Sequence, residues 1–191
     1  MIEVITNVKV YGLEDSVKAS KYPMAVDISK CTDEITPRVK SLAQCAMGTG
    51  HDNFLNGIIV QFDLTLSIKA WVEAERYHFL EFVSSQSTMH RIIKFDVASQ
   101  CNEYVTAKAI ENLNECIDEY NANPTDENYL KVLYNVPTGF TLTARMSTPY
   151  RQLKTIYNQR YFHKLPEWRK ICKWIETLPH SEFITGKKND D

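Results

Sequence analysis

Between His51 and Met89 the chain carries a histidine, an alternating apolar stretch, and then Glu73, Arg76 and His78 at helical spacing. That segment runs into Ser84-Ser85-Gln86-Ser87-Thr88, where every side chain is a hydroxyl or an amide. Guanidinium, imidazole and hydroxyl donors gathered at the end of a helix suit a phosphate-bearing ligand. A second group of cations, Arg151, Arg160 and Arg169, lies far along the chain. Two anion-competent groups so widely separated suggest one composite site for a nucleotide or cofactor.

Three alternating segments supply the strands that must position these groups. Val4, Val8 and Val10 share a face of the first. Ile58, Val60, Phe62, Leu64 and Leu66 share a face of the second, with Gln61, Asp63 and Thr65 opposite. Phe140, Leu142, Ala144 and Met146 oppose Thr141, Thr143, Arg145 and Ser147 in the third. Strands with one apolar face belong to a sheet covered on one side, which favours antiparallel or mixed pairing. Ser67 is placed to cap a helix with the stripe Ile68, Trp71, Val72 and Phe79. Glu73, Arg76 and Leu80 would lie together on another face of it, where Glu73 and Arg76 could form a surface ion pair. An acidic helix carries Ile110, Leu113, Ile117 and Tyr120, and Thr125 caps the next one. Trp168, Ile171, Ile175 and Leu178 mark the last stripe, opened by Pro166 and closed by Pro179. The expectation is one α+β domain over residues 1–180: a central antiparallel or mixed sheet packed with helices. A polar, frayed tail is expected from Ser181 to Asp191.

The 191 residues are 43% hydrophobic with a net charge of −2, which describes an ordinary globular chain rather than a strongly basic nucleic-acid binder. Charge is unevenly placed. The stretch from Arg145 to Lys173 carries +7, and that from Cys101 to Asn128 carries −6. Two solvated faces would explain this, and so would a basic segment that meets phosphates. Five widely spaced cysteines without a C-x-x-C pair argue against a disulfide framework and a thiolate zinc site. No signal peptide or membrane-length apolar run is visible, so a cytoplasmic protein is expected.

From His51-Asp52-Asn53, through Ile58-Ile59-Val60-Gln61-Phe62, to Trp71 and Arg76-Tyr77-His78, the chain resembles the flavin-dependent thymidylate synthases. The distance from His51 to Arg76 is the family's own. The resemblance resumes at Val136-Pro137, at Arg151 with Arg160 nine residues later, and at His163-Lys164-Leu165-Pro166-Glu167-Trp168-Arg169. It covers about half to two-thirds of the chain. The departures fall on binding positions. The family's Arg-His-Arg signature is Arg76-Tyr77-His78 here, and a substrate glutamine is Glu73. Met89-His90 stand where the family has Arg-Tyr, and Ser87 takes the place of a serine after one inserted residue.

The resemblance implies roles for single residues. Arg160 would be the catalytic group at the uracil edge, stabilising charge that develops on the ring. Arg76, Glu73, Ser87 and Arg151 would bind the nucleotide. His51, Arg76, His78 and His163 would lie toward the flavin or folate, with His78 and His90 as substitute donors for lost arginines. The implied reaction transfers a one-carbon unit from methylenetetrahydrofolate to C5 of dUMP, with FAD as cofactor and NADPH as reductant. The implied assembly is a homotetramer with sites shared between subunits. A related modification, such as hydroxymethyl transfer, fits the changed contacts as well. The alternatives are a homologue that kept the fold but binds a nucleotide or partner without catalysis, and a nucleic-acid module built on residues 145–173. The compact chain and altered signature point to a bacteriophage or mobile-element source.

Overall fold

The computed structural model describes residues 3–46 and 48–186. In chain order the elements are β1 (Ile5–Tyr11), α1 (Leu13–Ala19), α2 (Pro37–Ala43), β2 (Ile59–Ser67), α3 (Ile68–Ala74) and β3 (Glu81–Ser85). The short α4 (Thr88–Arg91) and α5 (Val97–Gln100) come next. They are followed by α6 (Ala107–Ala122), α7 (Asp126–Tyr134), β4 (Thr141–Pro149), α8 (Tyr150–Arg160), α9 (Pro166–Ile175) and α10 (Glu182–Thr185). The strands form one sheet in the order β1-β2-β4-β3, and every pairing in it is antiparallel. This is the α+β architecture expected from the alternating segments.

The clean alternation of β2 does what it should: Ile58, Val60, Phe62, Leu64 and Leu66 are all buried. With Ala144 and Met146 of β4 they form the floor of the main core. Leu153 and Ile156 of α8, Trp168, Ile171 and Ile175 of α9, and Phe183 and Ile184 of α10 complete it. A second cluster, with Leu113, Ile117, Val132 and Phe140, seats α6 and α7. The caps read from sequence are present. Ser67 Oγ accepts from the Ala70 N–H at 3.2 Å, and Thr125 Oγ1 from the Asn128 N–H at 3.2 Å. No described helix is long and apolar enough to cross a membrane.

Four expectations are corrected. In β1 the face shared by Val4, Val8 and Val10 is broken, because an irregularity between Thr6 and Lys9 inserts a residue and turns Val8 to solvent. Asn7 absorbs it with a φ of 50°, in the left-handed region an asparagine tolerates. The helix after β2 stops at Ala74, so Arg76 and His78 lie beyond its end and Val72 and Phe79 are exposed. The hydroxyl-rich segment does not sit at the end of that helix: β3 takes in Ser84 and Ser85 as an edge strand, exposed along its length. The tail is not frayed over residues 181–186. Phe183 and Ile184 are buried, and α10 packs on α8 and α2; residues 187–191 lie outside the described residues.

Candidate functional site

Helix α8 follows β4 without a loop, because Pro149 is extended and Tyr150 already donates its N–H to the Ile58 carbonyl at 2.9 Å. Arg151 and Arg160 therefore start and end the same rigid element. Nine residues at 1.5 Å and 100° each place them about 13 Å apart along the axis and half a turn around it. The two arginines face different surroundings.

Arg160 is 3% exposed and sits in a closed cage. Its Nε donates to Tyr77 Oη at 2.6 Å, and Nη1 to Glu73 Oε2 at 3.1 Å and to His163 Nε2 at 2.6 Å. Nη2 reaches the Glu73 carbonyl at 3.2 Å, so four of the five N–H groups are engaged. The guanidinium also lies over the Trp168 ring, 4.8 Å from its centroid, and over that of Tyr77 at 5.4 Å. The hydrogen bonds from Arg160 and Lys69 hold the Glu73 carboxyl below the usual carboxylate range. Burial raises the Tyr77 phenol, against the pull of Arg160. Burial also lowers the His163 imidazole, as do the charges of Arg160, Arg169 and Arg76, while Glu73 opposes them. A neutral His163 is what accepting a bond from Arg160 requires.

The other arginine opens onto solvent. Arg151 lines a cleft of about 520 Å³ whose walls include Asn56, Ile59, Phe79, Glu81, Thr148 and Gln152. No N–H of Arg151 has a hydrogen-bond acceptor among the described residues; Nε only approaches Asp52 Oδ1, at 3.3 Å. Thr148, 1% exposed, has a hydroxyl with no hydrogen-bond partner. Gln152 is 8% exposed, and its amide makes no hydrogen bond within the described protein. Buried polar groups are normally satisfied; of the three buried side-chain atoms without a partner among the described residues, Thr148 Oγ1 lies at this cleft, Asp52 Oδ1 just behind Arg151, and Trp168 Nε1 in the Arg160 cage. Apolar walls at Ile59, Phe79 and Pro149 suit a flat ring, and the cleft volume is that of a small-molecule site.

The structure brings Arg160, Glu73 and His163 together, with Arg76 near enough for its charge to act on His163 and Tyr77. Glu73 does not pair with Arg76 as its helical spacing suggested; its partners are Arg160 and Lys69. Arg151 is not part of that group. His51 and His78 are exposed, and Ser87 is half-buried at the start of α4 without capping it. Much of the basic segment is occupied within the fold. Arg145 pairs with Asp63, and Lys173 with Glu176. Arg169 binds the carbonyls of His163 and Lys164. Sequence reasoning missed Tyr77, Asp52, Lys154, Thr148 and Gln152. Only Tyr77 and Asp52 carried a signal, as neighbours of Arg76 and His51. Among the described residues no group of three or more His, Cys, Asp or Glu could hold a metal.

No family model matches the chain, and no curated protein does. Solved structures do. The flavin-dependent thymidylate synthase ThyX of Helicobacter pylori, in complex with FAD and dUMP, superposes with a TM-score of 0.73 at 16% identity. The match covers 96% of this chain and 97% of that one. The UMP/dUMP methylase PolB of Streptomyces cacaoi, bound with 5-Br dUMP, gives a TM-score of 0.63 at 13% identity over 97% of each chain. Nearly the full length of each chain thus superposes: the chain has the fold of the flavin-dependent thymidylate synthase ThyX.

Proposed function

We propose that the chain is a divergent flavin-dependent thymidylate synthase-like enzyme, which transfers a one-carbon unit to C5 of a pyrimidine deoxynucleotide. The product is dTMP from dUMP, or a related C5 modification. The observation that carries this reading is the Arg151 cleft, with its idle buried polar groups, on a fold whose solved examples include complexes with FAD and dUMP. The residues present fit a flavin: Arg151, Gln152 and Thr148 offer donors and acceptors beside the apolar walls. FAD supplies the redox chemistry when bound, with NADPH and methylenetetrahydrofolate as the co-substrates of the proposed reaction.

This chain's own residues would bind and orient. Arg151 would anchor a negative or carbonyl group, Thr148 and Gln152 would read polar ring edges, and Phe79 would exclude water from one side. Arg76, exposed beside the cage, is free to meet an anion carried by the nucleotide. Arg160 retains one N–H, on Nη2, for a base oxygen. His51, His78 and Ser87 would reach the ligands from a neighbouring subunit of a homotetramer, because their own protomer leaves them outside both the cage and the cleft.

A second reading rests on a specific observation. An arginine with four of five N–H groups engaged inside its protomer is a structural arginine first. That favours a catalytically inactive homologue which keeps the fold to bind a nucleotide or partner. Titration with FAD, then with dUMP and dCMP in its presence, separates the two. Flavin uptake followed by nucleotide-dependent change in the flavin spectrum supports the enzyme. Nucleotide binding without flavin uptake supports the second reading, and binding of neither sinks the cleft.

A further inference from the structure

We propose that Asp52 is a positioning residue for the Arg151 cleft: it holds the guanidinium by its Nε side and leaves the terminal nitrogens to the ligand. The inference rests on reading that cleft as the flavin site. Asp52 is 0% exposed and stands just before the turn Asn53–Asn56, whose last residue lines the cleft. Lys154, also buried, donates to the carbonyls of Ala43 at 2.8 Å and Cys45 at 2.7 Å, and to Asp52 Oδ2 at 2.9 Å. An ammonium has three donors, so Lys154 is saturated. It neutralises the carboxylate and pins one oxygen.

The other oxygen, Oδ1, is buried and has no hydrogen-bond partner. Its cationic neighbour there is Arg151 Nε, 3.3 Å away but not aligned for a hydrogen bond. Arg151 and Lys154 are three residues apart on α8, so they flank Asp52 from one helix face. A buried carboxylate oxygen that is ion-paired with a guanidinium but not hydrogen-bonded by it is one small rotation from completing that bond. A ligand anchored on the terminal nitrogens would align Nε with Oδ1, so ligand binding and this bond should tighten together. If Asp52 served only to seat Lys154, Oδ2 alone would suffice.

The test is a cycle in the full chain with two readouts, FAD affinity by fluorescence titration and the Arg151 Nε–H resonance by NMR. Asp52→Asn is expected to weaken FAD binding about tenfold in the parent and to leave affinity unchanged in Arg151→Ala, because Asp52 acts through that side chain. An equal loss in both backgrounds would overturn the proposal and leave Asp52 a packing residue. Should the buried Lys154 charge unfold Asp52→Asn, the pair Asp52→Asn/Lys154→Met removes both charges and enters the same cycle. In the ligand-free protein the Arg151 Nε–H resonance should move in the Asp52 variants, because the carboxylate 3.3 Å away is lost, and FAD should slow its exchange in the parent alone; an unmoved resonance would also overturn it. Failure of the parent to take up FAD would sink the cleft reading, and the NMR readout would still decide whether Asp52 holds Arg151.

Discussion

Arg151 and Arg160 belong to one helix, yet one is offered to solvent and the other is consumed by the fold. Arg160 has aromatic faces at Trp168 and Tyr77 and hydrogen-bond partners at Tyr77, Glu73 and His163. Arg151 has an approach from Asp52 and a cleft in front of it. The difference shows that a buried arginine is a donor for ligands only to the extent that the protein leaves its N–H groups unpaired. Satisfied groups stabilise; idle ones wait for a partner.

The contrast can be broken by substitution. The largest effect on stability is expected from Arg160→Ala, which empties the cage and leaves Tyr77 and Glu73 facing a void. Breaking a buried hydrogen-bonded network should cost about 3 kcal/mol, read as a lower chemical-denaturation midpoint. Arg151→Ala is expected to change that midpoint far less while weakening FAD binding about tenfold or more, the worth of a charged hydrogen bond. If the two variants exchange these outcomes, the assignment of cage and cleft is reversed.

Thr148→Val tests the idle groups directly. Replacing an unpartnered buried hydroxyl by a methyl should stabilise the ligand-free protein by about 1 kcal/mol and weaken the ligand, measured by denaturation and titration. A destabilised variant would mean that the hydroxyl already has a partner. The smallest effect is a pH dependence. His163 is held below its ordinary value of 6.5, so below that value the unfolded chain binds the proton more readily than the folded one. Stability should therefore fall as pH drops from 6.5 toward the lowered value and flatten beyond it. His163→Gln should abolish that slope; a slope that survives belongs to other groups.

The sequence was most legible where neighbours along the chain decide the structure. The strict alternation of β2 fixes its buried face, and Ser67, Thr125 and Pro166 mark helix starts that the structure keeps. It was least legible where a partner lies far away. Nothing local says that Tyr77, not Phe79, turns inward, because the reason is Arg160, 83 residues on. The spacing of Glu73 and Arg76 suggests a pair, but the nearby Lys69 and the distant Arg160 take Glu73 instead. Arg160 and His163 were named as site residues and do meet. That Arg151 and Arg160 would diverge was available from helix geometry alone, since residues nine apart lie on opposite sides.

The packing of α10 bears on how the chain is made. Phe183 and Ile184 fill space between α8 and α2, so that part of the main core stays open until α10 has been translated. Before that point the surfaces of α8 and α2 that α10 covers are open to the crowded cell, where chaperones would have to shield them. Stalling, premature stop codons or cleavage ahead of Ser181 should therefore yield insoluble fragments, not a smaller folded protein.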